Sequence, residues 1–186
     1  MIDNFKKRKS DILSKLDKSS KQSWDERIVS LCEKINSLED YYTTSSCAGR
    51  VVIMIDQEKK ESGLFLKQYH DLISFNQLKG DLTNINSTNL IKFKLEPPII
   101  HIACEDLESA SRLLEKAREV GWKKSGILSF TKNIILELNS TERLEFPILN
   151  NGKVLVDGEF LKLIVKKSNE CLKRGWGKIE RLGEDL

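Results

Sequence analysis

Strand-like segments in this chain come in runs, and that limits its fold more than any other feature. Extended patterns at Arg50–Asp56 and Gly63–Tyr69 follow one another, as do those at Leu90–Leu95 and Pro98–Cys104, and at Ile127–Phe130 and Ile134–Leu138. Helical patterns stand between the groups rather than after every strand. A doubly wound fold needs strand and helix to alternate regularly. It also needs a glycine-rich turn after a strand, and the nearest string, "RGWGK", follows a helix instead. The pattern predicts an α+β fold: a single compact domain over 1–186, with a mixed β-sheet flanked by helices, and not a Rossmann-type fold. At 186 residues the chain supports one well-buried core or two small ones.

The helices are read from their apolar stripes. Phe5, Ile12, Leu13 and Leu16 place one over about Asp3–Asp17, within a basic N-terminal segment, 1–22. Ser23 and Glu26 form a capping box ahead of a stripe of Ile28, Leu31, Cys32, Ile35 and Leu38. A third helix spans Asp106–Val120, with Leu107, Ala110, Leu114 and Ala117 inward and Gly121 as its stop. The last covers Glu159–Arg174, ends at Gly175, and opens a basic C-terminal helix and tail, 159–186. "FNQLKGDLTNINSTN" reads as a polar excursion, and "NNGK" as a hairpin turn. A faint echo links "SSCAGRVVIM" and "KKSGILSF", each a small-residue turn ahead of a strand, and suggests an internal duplication.

Charge and cysteine content narrow the function classes. From Met1 to Gln22 there are seven Lys/Arg against three Asp, and from Phe160 to Arg181 seven against two Glu. Two basic helical ends suit nucleic acid, although solvated helix faces give the same runs. Cys32, Cys47, Cys104 and Cys171 lie far apart with no CxxC pair, and only two histidines accompany them, so no metal site is expected. No stretch has the ~18 apolar residues of a membrane span, which makes the cytoplasm the default address.

The chemistry gathers around "TTSSCAGRVVIMI", Thr43 to Ile55. Read as a turn, Ser45, Ser46 and the backbone at Gly49 present several donors together, and Arg50 adds a cation able to grip a carboxylate or phosphate bidentately. The competing reading is a capped polar turn with Arg50 in an ion pair. Ser125 and Gly126 form a partner bend before Ile127. His70 and His101 are the only side chains that titrate near neutrality without perturbation. His70 closes a strand, where catalysis is favoured, while His101 lies inside an apolar strand, where a core histidine is equally reasonable. Asp25 is either a base or an N-terminal helix charge, Glu96 is held rigid before two prolines, and Cys47 is a packing thiol unless a partner activates it.

These residues carry a resemblance. "DKSSKQSWDERI", "YYTTSSCAGR", His70 after the second strand, "KFKLEPPIIHIAC", "GWKKSGI" and "IILELNSTERLEFPI" occur in the order and spacing of the tRNA wybutosine-synthesis N-4 methyltransferases, the third enzyme of that pathway, in their archaeal form. The chain departs from the family at Gln22, at Ser20 and at Leu64-Phe65-Leu66, where a tryptophan is common. The resemblance implies transfer of a methyl group from S-adenosylmethionine to N-4 of the tricyclic guanine beside the anticodon of tRNA(Phe). It implies His70, Asp25 and His101 as catalytic candidates, and Ser45, Ser46, Gly49, Arg50, Glu96, Ser125 and Gly126 around the cofactor. Lys6, Lys7, Arg8, Lys9, Lys21, Lys173, Arg174 and Arg181 are the candidate phosphate contacts for the anticodon loop, with Trp122, Tyr41 and Tyr42 as stacking platforms for an extruded base. The rival reading is a non-catalytic RNA-binding module whose turn holds phosphate; a hydrolase using Cys47 or Ser46 lacks its nucleophile elbow.

Overall fold

The computed structural model describes residues 4–14, 25–57, 63–130 and 134–186. In chain order its elements are α1 (Asn4–Leu13), α2 (Val29–Ser37), β1 (Tyr41–Cys47), β2 (Arg50–Ile55), β3 (Phe65–Tyr69), α3 (Phe75–Asn84), β4 (Ile91–Glu96), β5 (Ile99–Cys104), α4 (Leu107–Glu119), β6 (Gly126–Ser129), β7 (Ile134–Asn139), β8 (Leu144–Asn150), β9 (Lys153–Val154) and α5 (Gly158–Asp185). They fall into two compact units. The first takes Met1–Ala48, Pro98–Thr141 and Gly175–Leu186; the second takes Gly49–Pro97 and Glu142–Arg174. The expected α+β class holds. In place of one mixed sheet there are two, and every strand pairing among the described residues is antiparallel. Runs of strands reveal that hairpins exist, but not how strands distant in sequence will be directed.

The first unit's sheet has the order β1-β5-β7-β6. Along β5 and β7 the even-numbered residues Ile100, Ile102, Leu136 and Leu138 are fully buried, while Ile99, His101, Ile135 and Glu137 are half-exposed. Side chains alternate across a strand, so one face of this sheet packs and the other remains partly open. Leu31, Cys32 and Ile35 of α2 and Ala110, Leu113 and Ala117 of α4 supply core, each full burial of a large aliphatic side chain contributing roughly 1.5–3 kcal/mol. The buried stripe differs from the expected one: Leu107 is exposed and Leu114 only half-buried, while Leu113 is the residue turned inward. Gly121 ends α4 at φ 104°, a conformation that favours glycine. The Ser23 capping box lies outside the described residues, and the chain enters α2 through a 3₁₀ turn at Glu26–Ile28.

The second unit's sheet has the order β3-β2-β4-β8-β9. Val51, Val52, Ile53, Phe93 and Leu95 are buried in it, and Phe146 stacks on Phe93 at 5.2 Å while meeting Phe160 of α5 edge-on at 5.5 Å. Asn151 (φ 48°) and Gly152 (φ 72°) make the hairpin that "NNGK" predicted. The expected polar excursion contains α3, capped by Ser74 and packed through Leu78 and Leu82. Polar residues on its outer face concealed that two-residue stripe.

Two further expectations are corrected. The last helix does not end at Gly175 but runs to Asp185. Gly175 is there for a close approach, since a Cβ would meet the Pro98 ring at 2.8 Å. The two glycine motifs also lead to unlike places: β2 is an interior strand and β6 an edge.

Candidate active site

The hydroxyl cluster is not a turn. Tyr41–Cys47 is a β-strand, and only Ala48 and Gly49, the latter at φ 92°, separate it from β2. Neighbouring residues on a strand point to opposite faces, so Ser45 and Ser46 cannot both serve one cradle. Ser45 aligns with His101, His101 with Glu137, and Glu137 with Gly126, in one row across all four strands of the first sheet. Ser45 Oγ lies 2.7 Å from His101 Nδ1, and His101 Nε2 lies 2.9 Å from Glu137 Oε2. Asn139 Nδ2 donates to the other Glu137 oxygen at 3.3 Å. A carboxylate at Nε2 accepts a proton bond and leaves Nδ1 to accept from the serine hydroxyl; this tautomer follows from the partners. The core reading of His101 is replaced by a half-exposed position within a polar chain.

Two atoms beside this row lack partners. Ser46 Oγ and Asn139 Oδ1 are buried and make no hydrogen bond among the described residues. Such atoms normally find partners, so each is a place where a ligand group gains by binding. By the same alternation they lie on opposite faces of the sheet: Asn139 shares the face of the row, bonding Glu137, and Ser46 the face of Ile100. Ser125 is different: its Oγ donates to the Trp122 carbonyl at 2.6 Å and accepts from the Asn139 amide at 3.0 Å. Buried and spent on both sides, it holds the end of β7 rather than a cofactor. Gly126 has no positive φ, and a Cβ there would meet open space, so its glycine is not required by the backbone.

Asp25 was expected as a base or a helix charge. It makes no side-chain cap, and its Oδ2 instead accepts from the Ala48 amide at 3.4 Å. His70 is half-exposed just after β3, in the second unit. Cys47 is half-buried, and Cys32, Cys104 and Cys171 are buried thiols outside any disulfide. Burial pushes the Cys104 thiol up to about 12, which keeps it inert.

In the second unit Arg50 occupies the centre of a polar network. Its Nε donates to Glu96 Oε2 and its Nη1 to Gln68 Oε1, both at 2.7 Å, and its guanidinium sits 5.0 Å from the Phe65 ring centre. Lys94 Nζ reaches Glu96 Oε1 at 2.9 Å. Burial raises the pKa of Glu96, but the Lys94 and Arg50 hydrogen bonds outweigh it and hold the carboxyl below its usual range. The ion-pair alternative for Arg50 is therefore the one observed, between groups about a quarter exposed.

The expected RNA contacts separate into two kinds. Trp122 is fully buried, with its Nε1 donating to Lys178 O at 3.2 Å, and Tyr41 and Tyr42 are buried, so none presents a ring to a base. These rings pack the core, as their area favours. Lys9 is spent on the Leu38 carbonyl, and burial lowers its pKa. Lys6, Lys7 and Arg181 are exposed in the first unit, where Arg8 is half-exposed; Lys173 and Arg174 are exposed in the second. Arg174 also lies 3.9 Å from Glu142, and Lys21 is outside the described residues.

Sequence reading missed Glu137 and Asn139. The signal was a single acid in "IILELN", an apolar strand, but its partner was invisible without the register.

The frame is an antiparallel α+β fold distinct from the doubly wound Rossmann type, and its first sheet holds an imidazole between a hydroxyl and a carboxylate. The chain belongs to the family described as Methyltransferase TYW3, whose model matches residues 7–186. A relative from Archaeoglobus fulgidus, named tRNA(Phe) 7-((3-amino-3-carboxypropyl)-4-demethylwyosine(37)-N(4))-methyltransferase, is 36% identical over 100% of this chain and 93% of its own. One of the same name from Methanocaldococcus jannaschii is 40% identical over 81% of this chain and 79% of its own. Among solved structures, the PH1069 protein of Pyrococcus horikoshii superposes with a TM-score of 0.89 at 33% identity, covering 97% of this chain and 93% of that one.

Proposed function

We propose that this chain, like its named relatives, methylates N-4 of the demethylated wyosine-type base of tRNA(Phe), with S-adenosylmethionine as methyl donor. The observation that carries the reading to residues is the Ser45–His101–Glu137 row. Methyl transfer to a ring nitrogen releases a proton, and a positioned acid–base group contributes typically 10²–10⁴-fold to such a step. His101 is that group in the first unit; His70 in the second is the other candidate, and Asp25 positions the Ala48 amide.

The donor, when bound, supplies an electrophilic methyl on a sulfonium. On the face of the row the orphaned Asn139 Oδ1 fits an amine of that donor, while Ser46, on the opposite face, lies outside the same cradle. Ser45, first grouped with the cofactor residues, belongs to the proton chain instead. Gly49, Arg50 and Glu96 frame β2 and β4 and support the second unit. The anticodon loop is held through phosphate by Lys6, Lys7, Arg8, Lys173, Arg174 and Arg181, and by Lys21. The continuous family match over 7–186 supports treating both units as one methyltransferase domain. No helix among the described residues is long and apolar enough to cross a membrane, which fits a cytoplasmic tRNA enzyme.

The test is transfer of labelled methyl to tRNA(Phe) carrying the unmethylated tricyclic base, with calorimetric titration of S-adenosylmethionine alone. Donor binding without RNA and methyl incorporation at that base are expected. Binding of RNA with neither would make the chain the non-catalytic module instead.

A further inference from the structure

Both ring nitrogens of His101 are already engaged, Nδ1 by Ser45 Oγ at 2.7 Å and Nε2 by Glu137 Oε2 at 2.9 Å. Ser45 is the most open member of the row, exposed where His101 and Glu137 are about a quarter open, and is the end placed to meet a group from outside. We propose that Ser45 is the catalytic residue that meets the acceptor nitrogen, and that His101, Glu137 and Asn139 form the relay behind it. The proposal rests on the methyl-transfer reading above and adds to it the order in which the proton moves.

The balance is simple. The bond from N-4 to the methyl carbon forms as the carbon–sulfur bond breaks, its electron pair returning to sulfur. The N-4 proton passes to Ser45 Oγ while the Ser45 hydroxyl proton passes to His101 Nδ1. The imidazolium so formed sits against the Glu137 carboxylate, which stabilises its charge, and it loses its proton to solvent between turnovers. Glu137 fixes the tautomer by accepting from Nε2–H, and Asn139 fixes Glu137 by donating to Oε1 at 3.3 Å. Ser125 holds the Asn139 backbone in turn, bonding its amide at 3.0 Å. Thr44 Oγ1 donates to the His101 carbonyl at 3.2 Å, a backbone contact that leaves the ring nitrogens to the relay.

Nitrogen NMR of the His101 ring in the full chain, without donor or tRNA, is the first readout. The Nε2–H tautomer is expected in the wild type and a mixture of tautomers in Glu137→Ala; a wild-type ring protonated on Nδ1 would overturn the relay. Single-turnover methyl transfer is the second. Ser45→Ala is expected to lower the rate about 100-fold with KM for donor and tRNA unchanged, Ser45→Thr to restore most of it, and Glu137→Gln to lower it about 10–100-fold. Full activity in Ser45→Ala beside a slow His101→Asn would mean that imidazole meets the substrate directly, ending the relay and sparing the methyl-transfer reading. No transfer to the tricyclic base by the wild type would end that reading itself, whatever the tautomer. Should Ser45→Ala lose its fold, the Ser45→Thr rate and the wild-type tautomer still decide.

Discussion

Each unit carries a polar chain across its sheet, and the two chains are built from different material. In the first, a hydroxyl, an imidazole, a carboxylate and an amide follow one another across β1, β5 and β7. In the second, Arg50, Glu96, Lys94 and Gln68 link β2, β3 and β4 through ion pairs and a side-chain amide. The first can move a proton along its length and leaves buried polar atoms unspent beside it. The second sets two cations, Arg50 and Lys94, on one carboxylate, Glu96. A strong cation thus has two readings until its partner is known, and an imidazole between a hydroxyl and a carboxylate is the arrangement on which the proposed proton transfer rests.

The largest effect that would sharpen this contrast is on the second unit's core. Phe93→Ala removes a fully buried ring stacked at 5.2 Å on Phe146 and is expected to cost about 3–5 kcal/mol, read as a lower Tm by calorimetry. Arg50→Ala is next, at about 1.5–3 kcal/mol, since it strips one charge-assisted hydrogen bond from a part-buried Glu96 and another from Gln68. Methyl transfer per folded molecule should change little; a loss beyond tenfold at unchanged stability would give Arg50 back its place in the site.

Acid titration separates the units further. Because the folded-state pKa of Glu96 is depressed, its contribution is full above the unfolded value of about 4.3 and is lost as pH falls through the lower folded value. Arg50→Ala should flatten that part of the stability–pH curve. Ser74→Ala, which removes the α3 cap, is expected to cost about 1 kcal/mol by denaturant midpoint. The smallest stability effect belongs to the site: His101→Asn should cost under about 1 kcal/mol, the range for partly exposed pairs.

Legibility in the sequence followed the same division. Stripes such as Leu31, Cys32 and Ile35, and turns such as Asn151-Gly152, are local, and local patterns were readable. Ser45 and His101 were visible singly because hydroxyls and histidines are conspicuous. Their union depends on the β1–β5 register, which spans 56 residues. The strand character of "TTSSC" was masked because Ser and Thr favour turns as single residues, while here the pairing of Cys47 with Ile99 and of Ser46 with Ile100 decides. Trp122 misled for the opposite reason: its neighbour Gly121 marked a helix stop, not an open platform.

One measurement bears most directly on the assignment of proton transfer to the first unit. Single-turnover methyl transfer to tRNA(Phe) with the unmethylated tricyclic base, at saturating donor, should fall about 10²–10⁴-fold in His101→Asn while donor affinity and thermal stability stay near wild type. A His101→Asn rate within twofold of wild type, in a folded and donor-binding protein, would contradict it.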